Sequence, residues 1–292
     1  MSPDGNRVAV VSNTAQESLL QIAEFRDGKF GPVARFNLAE LGVTGTASGP
    51  RAGVTATNVQ WHPSGRYLAA NINTQDRVAF FEVADGDDGP ALKLWGNIVE
   101  TGRDPFVGRF TPDWRHYLTS NWGRDFAATT LDGRIPDAAS TMSVIRLADP
   151  EAREVRHERL GSVDTDISAE GMAVSPDGRL VATFNMRGTS FAPGTPRYSR
   201  EAGISLLAFD PKTGALEKLS DTSFEAVLPE GGTFDLTGDH VIATSFEAQP
   251  DAAPGVGAGL AVFRVVKDGT PRLEPIGRVP LPHGVHHVDV AP

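Results

Sequence analysis

Short apolar runs separated by tight polar turns alternate along this chain, and one kind of turn recurs in nearly the same form. The segment Ser-Pro-Asp-Gly-Asn-Arg-Val-Ala-Val at 2–10 has counterparts at 62–70, 111–118, 175–183 and, in degenerate form, 235–244. An apolar run follows each copy, and another precedes each copy after the first. The Asp-Gly or Ser-Gly pair found in most copies supplies the positive φ that a tight hairpin needs. The pattern predicts an antiparallel hairpin at each copy.

A second hairpin follows each of these turns. In one unit, apolar runs at 204–209 and 216–219 flank Asp-Pro-Lys-Thr-Gly, a strong turn signal. Each unit therefore contains four short strands, and five units share 292 residues, roughly 58 residues each. Four-stranded units repeated at this spacing predict an all-β fold, a β-propeller of about five four-stranded blades. A two-sheet sandwich is the alternative, but it does not explain a repeated turn unit.

The two ends of the chain predict how the ring closes. The final segment, His-His-Val-Asp-Val-Ala-Pro at 286–292, matches the strands that precede the other turns, whereas the first unit begins at its turn. The C-terminal strand is therefore expected to pair with the first blade and close the ring, which removes exposed strand edges. A single propeller domain over 1–292 would then contain blades at 286–292 plus 2–38, 56–102, 105–163, 168–224 and 228–281.

Composition limits the classes of partner. The net charge of −10 and the lack of a dense basic cluster argue against nucleic acid. No apolar run approaches the about 20 residues of a spanning helix, so no membrane partner is expected. The chain has no cysteine, which excludes thiolate metal sites, and it opens without a signal peptide. A longer periplasmic or secreted parent stays open, so localisation is undetermined, as is the oligomeric state.

The repeated turns, each followed by a run such as Arg-Tyr-Leu-Ala-Ala-Asn at 66–71, resemble those of the bacterial lactonase-like β-propeller superfamily, which includes surface-antigen-type repeat proteins. The resemblance covers nearly the whole chain and lies in the blade repeat. It implies a propeller fold and a lactonase-like activity. Members usually have seven blades, against five turn-centred units here, and no catalytic residue is transferred from the resemblance.

Alignment of the five turns predicts a site at one mouth of the central channel. Five residues before each turn, the column contains His286, Thr57, Phe106, Glu170 and Glu230. Glu170, Glu230 and His286 are thus expected at equivalent height, where carboxylates and an imidazole suit acid–base catalysis or one divalent cation, Ca or Zn. Asn58, Asp104, His283 and His287 are neighbours that could join. The alternative is a solvated rim without function.

Three long loops are expected beside the same mouth, at 122–140, 186–202 and 248–258. Long loops within a compact domain are usually functional or disordered. The first carries Trp122, and the second carries Arg187, Arg197 and Tyr198, a mixture able to hold an anionic or aromatic ligand.

Three functions remain open. The first is a hydrolase of lactones or related esters, with or without a divalent metal, in which Glu170, Glu230 and His286 bind the cation or activate water. The second is a non-catalytic propeller that binds a small ligand or a protein at the same mouth. The third is a fragment of a dehydrogenase-type propeller that needs a cofactor-bearing partner chain. A small-molecule substrate or ligand is the partner expected for the first two.

Overall fold

Strands make up nearly all the regular structure of the chain. The structure is a computed structural model that describes residues 1–12, 18–44, 54–87 and 89–290. Short helical segments occur at Asn73–Gln75, a 3₁₀ turn, and at α1 (Leu131–Arg134). Within the described ranges, no helix is long and apolar enough to cross a membrane.

The strands form five antiparallel sheets in chain order. The first sheet contains β1 (Arg7–Val11), β2 (Leu19–Arg26) and β3 (Lys29–Asn37). The second contains β4 (Asn58–Trp61), β5 (Tyr67–Ile72), β6 (Arg77–Gly86), β7 (Gly89–Leu94) and the short β8 (Val99–Glu100). The third contains β9 (Pro105–Phe110), β10 (His116–Asn121), β11 (Ala139–Arg146) and β12 (Glu158–Ile167). The fourth contains β13 (Ala169–Val174), β14 (Leu180–Asn185), β15 (Glu201–Phe209) and β16 (Leu216–Glu225). The fifth contains β17 (Gly232–Phe234), β18 (His240–Ser245), β19 (Gly259–Val266) and β20 (Arg272–Pro280).

This architecture confirms the prediction of an all-β propeller with five blades. Neighbouring strands in each sheet follow one another in sequence, and β8 is an addition that pairs with β6. The innermost strands β1, β4, β9, β13 and β17 face the central channel, and consecutive innermost strands lie side by side.

The repeated turns owe their shape to a local hydrogen-bond pattern. In the fourth blade, the Ser175 hydroxyl donates to the Asp177 carboxylate (2.6 Å) and accepts from the backbone N–H of Leu180 (2.9 Å). Gly178 then adopts a φ of 70°, which glycine tolerates without strain. In the third blade the equivalent residue is Trp114 with a φ of 64°, so this copy keeps the turn without glycine.

The hydrophobic core consists of four layers, each between two consecutive sheets. Leu20 and Ile22 of the first sheet pack with Phe81 of the second, and Phe184 of the fourth packs with Phe263 of the fifth. Tyr117 and Leu118 contribute to the two layers on either side of the third sheet. Most of the apolar burial that stabilises the fold therefore lies between the blades.

Close approach of the inner strands requires glycine at the mouth. A Cβ on Gly171 would lie 2.5 Å from the carbonyl oxygen of Glu230, which belongs to the backbone of the next blade. Such overpacking typically costs about 1–3 kcal/mol.

We expect Gly171→Ala to lower the free energy of unfolding by about that amount, measured as the urea midpoint. Gly161→Ala is the matched control, since a Cβ there meets nothing within 4 Å; equal losses in both variants would contradict this explanation.

The predicted ring closure is wrong for the described residues. The first sheet has three strands, and residues 281–290 form no strand; residues 291 and 292 lie outside the described part. The tail instead follows the fifth blade, where the carbonyl oxygen of His286 lies 2.6 Å from a Cβ built on Gly231. The reason is distance: among the described residues, no packing like that between consecutive sheets joins the fifth sheet to the first.

Two sheet faces consequently lack a neighbouring blade within the described structure. On the first sheet, Val10 and Val33 are 51% and 46% exposed, and every residue of β1 and β3 is at least partly exposed. On the fifth sheet, Ile276 and Val279 are 46% and 49% exposed. The five blades therefore form an arc with an apolar face at either end.

Candidate functional site

The starts of the inner strands bring strained backbone and charged side chains to one mouth of the channel. Asp104, Ser168 and Leu228 lie just before β9, β13 and β17, and their φ values are 59°, 61° and 50°. Left-handed conformations in such residues are uncommon and often occur at functional sites. The mouth therefore combines strained backbone with polar side chains, as functional sites often do.

A buried ion pair lies at the start of the third blade. Arg124 donates from Nε to Oδ2 of Asp104 (2.6 Å) and from a terminal nitrogen to Oδ1 (3.0 Å). The side chains of Asp104 and Arg124 are 0% and 10% exposed. Burial raises the pKa of Asp104, and the hydrogen bonds from Arg124 oppose this rise. Arg124 is also held by the face of Trp122, whose ring centroid lies 3.9 Å from the guanidinium carbon.

Glu170 lies next to this pair. Its backbone is fixed because the hydroxyl of Ser120 donates to its carbonyl oxygen (2.9 Å), and its side chain is buried. Its Oε2 has no hydrogen-bond partner among the described residues. Burial raises the pKa of Glu170 to about 8; the Arg124 charge lowers it and the Asp104 charge raises it. The carboxyl group thus keeps its proton at neutral pH, and it can donate that proton.

Glu230 and His286 form a second polar pair, between the fifth blade and the C-terminal tail. The Nδ1 atom of His286 is hydrogen-bonded to Oε2 of Glu230, and the ring of His286 lies edge-on to Phe246 with centroids 4.7 Å apart. His286 is exposed, whereas the Glu230 side chain is largely buried. A carboxylate on Nδ1 fixes the imidazole ring and leaves Nε2 facing outward as a potential base.

The three predicted residues therefore lie at the mouth in two separate groups. The charges that act on the Glu170 carboxyl group are those of Arg124 and Asp104, while Glu230 contacts His286. In the described ranges, no group of three His, Asp or Glu side chains is placed to hold one metal ion. Binding of a divalent cation stays a prediction.

The other candidate residues of the mouth have separate surroundings. Asn58 accepts a hydrogen bond from the backbone N–H of Gly108 (3.3 Å) and so joins the second and third blades. His283 is exposed. His287 lines a cavity deeper in the channel, and burial there lowers the pKa of His287.

The long loops contact one another beside the mouth. Arg197 donates to the carbonyl oxygens of Ile135 and Pro136, both at 2.7 Å, and the Tyr198 hydroxyl donates to Gln249 (3.2 Å). Arg187 is bound to Asp166 (2.6 Å). Arg197 and Tyr198 therefore join the loops, whereas Arg187 joins the fourth-blade loop to β12. A cavity of about 210 Å³ remains between two of the loops, and Arg187 and Arg197 are part of its wall.

Arg124 lies in the predicted loop at 122–140, but the sequence did not assign it to the site. The partnership of Arg124 with Asp104 depends on a contact across 20 residues, and no sequence spacing indicates it. Arg109 was missed altogether. A signal existed, because the column three residues after the mouth column reads Asp289, Gln60, Arg109, Ala173 and Thr233, which is mostly polar.

Comparison with known proteins gives likeness in structure only. No protein-family model matches the chain, and no curated protein matches it by sequence. The periplasmic gluconolactonase of Pseudomonas aeruginosa superposes with a TM-score of 0.70 at 19% identity, over 97% of this chain and 70% of that one. The likeness establishes a shared fold.

Two further solved structures show how widely this fold is used. A protein from Bacteroides uniformis, provisionally assigned as a 6-phosphogluconolactonase, has a TM-score of 0.66 at 17% identity, over 96% of this chain and 70% of that one. Hydrazine synthase of Kuenenia stuttgartiensis has a TM-score of 0.57 at 15% identity, over 96% of this chain and 64% of that one. Proteins with different activities share the fold, so function has to be argued from the site.

Proposed function

We propose that this propeller is a lactonase-like hydrolase, with its site at the channel mouth that carries Glu170, Glu230 and His286. The observation that carries the proposal is the buried carboxyl group of Glu170, which keeps its proton at neutral pH, at the same mouth as the imidazole of the tail residue His286 that Glu230 orients. The gluconolactonase among the structural neighbours supports the same reaction class.

Hydrolysis of a lactone needs a base and an acid. Water must lose a proton as it attacks the carbonyl carbon, and the ring oxygen must gain one as its bond to that carbon breaks. In the proposed arrangement, Nε2 of His286 takes the proton from water while Glu230 holds Nδ1. Glu170 gives its proton to the leaving ring oxygen. The water oxygen becomes part of the product carboxyl group, so atoms and protons balance.

The linked loops would form the substrate wall. Arg197 and Tyr198 fix the loops of the third, fourth and fifth blades to one another, which makes this wall more rigid than three separate flaps. Rigid positioning lowers the entropic cost of bringing a substrate to the acid and the base.

The proposal includes assistance by a divalent metal, which a separate experiment tests. Glu230 and His286 supply one carboxylate oxygen and one imidazole nitrogen in contact, a ligand pair that suits zinc better than calcium. Metal content of protein purified without chelator, measured by plasma mass spectrometry, would show about one ion per chain if the cation is resident, and the Glu230→Gln variant would lose it.

A panel of five- and six-membered aldonolactones and aryl esters tests the activity. We expect the wild type to accelerate hydrolysis of at least one lactone above its spontaneous rate, measured by proton release in weak buffer. His286→Ala should lower that acceleration by about 10²-fold or more, because the base is lost. His283→Ala changes an exposed histidine nearby and is the control. If the wild type hydrolyses neither lactones nor esters, the mouth is better explained as a ligand-binding surface.

A further inference from the structure

A second polar region lies deeper in the channel, below the proposed hydrolase site. Its central residue is Arg109 on β9, four residues beyond the start of that strand and therefore about 13 Å along it. Arg109 borders a cavity of about 260 Å³, whose wall also includes Thr111, Thr233, His287 and Asp289. A cavity of this size can hold a small ion with its hydration.

The guanidinium of Arg109 has unused donor capacity. Its one hydrogen bond in the described part of the chain goes to the carbonyl oxygen of the adjacent Gly108 (3.0 Å). A guanidinium has five N–H donors, and a charged group enclosed by protein is costly unless it is paired. Arg109 is partly exposed, and burial of the rest of its side chain lowers its pKa, while Tyr117 and the charge of Asp289 act in the opposite direction. The described residues thus leave most of this cation without a direct partner.

The geometry of the cavity favours a planar or tetrahedral oxyanion. Arg109 presents a fork of N–H groups that matches the oxygens of a carboxylate or phosphate. The cavity is bounded by the ends of innermost strands, by repeated-turn residues such as Thr111 and Ser175, and by the tail residues His287 and Asp289. Asp289 is the one carboxylate on the wall, so it opposes an incoming anion.

We propose that Arg109 forms a binding site for one small oxyanion, a carboxylate or a phosphate, within the central channel. The proposal does not depend on the hydrolase activity, since it rests on the cavity and on the donors of Arg109. It assigns opposite roles to two residues: Arg109 attracts the anion, and Asp289 weakens its binding.

Isothermal titration of the full chain with sodium phosphate and, separately, with sodium acetate tests this site at constant ionic strength in chloride. We expect saturable binding of about one anion per chain by the wild type for at least one of the two salts. Binding of phosphate alone or of acetate alone would identify which oxyanion fits. Arg109→Gln should weaken binding at least 10-fold, Arg109→Lys should weaken it less, and Asp289→Asn should strengthen it at least two-fold.

Arg115→Gln is the matched control, because Arg115 is exposed on the turn that follows β9. Circular dichroism and thermal melting establish that each variant is folded. Should Arg109→Gln fail to fold, Arg109→Lys and Asp289→Asn still carry the test through their opposite effects. The proposal is overturned if the wild type binds neither salt in a saturable way, if Arg109→Gln binds as tightly as the wild type, or if Asp289→Asn leaves affinity unchanged or lower.

Discussion

Replacing Glu170 with glutamine should abolish most hydrolysis, because glutamine keeps the shape of the side chain but has no proton to give. Loss of a general acid typically lowers the rate by about 10²–10⁴-fold. The measurement is kcat/KM for the best lactone of the panel. In the wild type, the same rate should fall as pH rises through about 8, where Glu170 loses its proton; that descending limb should be absent from the residual activity of Glu170→Gln.

The same substitution should also change how stability depends on pH. The pKa of Glu170 is about 8 in the folded chain against an ordinary value of 4.5. Its stabilising contribution is therefore complete below pH 4.5, declines as pH rises, and is lost above pH 8. At 1.36 kcal/mol per pKa unit, this decline amounts to about 4–5 kcal/mol. Glu170→Gln lacks the decline, so its free energy of unfolding should rise relative to the wild type between pH 5 and 8.5.

Urea unfolding at several pH values measures this difference, and Glu158→Gln provides a control at an exposed carboxylate. Parallel pH curves for Glu170→Gln and the wild type would show that Glu170 titrates normally and cannot serve as the acid. Because the stability readout needs no substrate, it separates a wrong protonation state from a wrong choice of lactone.

Replacing Asp104 with alanine should cause the largest loss of stability. The substitution leaves the guanidinium of Arg124 buried without its carboxylate partner, and breaking a buried ion pair in this way typically costs about 3–5 kcal/mol. The measurement is the free energy of unfolding from urea or guanidinium titration at pH 7. A lowered hydrolysis rate is also expected, because Arg124 contributes to the charge environment of Glu170.

The comparison for Asp104→Ala is Glu158→Ala, which breaks an ion pair with Arg146 on the same blade. Both side chains of that pair are more than half exposed, so its loss should cost less than about 1 kcal/mol. Similar losses for the two variants would mean that water or another group compensates Arg124 when Asp104 is removed.

The blade repeat could be predicted because its turns depend on interactions between residues close together in sequence. The turn needs a hydroxyl or aspartate to bond the backbone, followed by a residue with positive φ, as Ser175, Asp177 and Gly178 show. These requirements act within five residues, so they leave a visible pattern. Trp114 adopts the same backbone without glycine, and its copy was still recognised because the rest of the turn is present.

Ring closure could not be predicted from the same pattern. The tail at 286–290 resembles an inner strand in sequence, and it does lie beside the inner strand of the fifth blade, at Gly231. Whether such a segment pairs depends on the position of a distant sheet. That position is set by packing among all the blades, and the similarity of one segment to an inner strand carries no information about it.

The turn alignment indicates equivalent positions along the inner strands but not the directions of side chains. It assigns Glu170 and Glu230 to equivalent positions on adjacent blades, and the backbone of Glu230 lies against Gly171. The alignment does not tell which neighbour a flexible carboxylate contacts. Arg124 acts on the Glu170 carboxyl group and His286 binds the Glu230 carboxylate, and each of these partners comes from a segment distant in sequence.

The arc of blades implies that resistance to local opening is graded along the chain. An inner blade loses apolar contacts on two faces when it opens, whereas the first and fifth blades lose them on one face only. In structures built from repeats, each unit is stabilised mainly by its direct neighbours. Amide protons of β9 and β10 therefore belong to the slowest-exchanging class, and those of β1 and β20 to the fastest. The proposed acid, Glu170, lies on β13 of an inner blade, whereas Glu230, which holds the proposed base His286, lies on the fifth blade, so the acid and the base rest on parts of unequal rigidity.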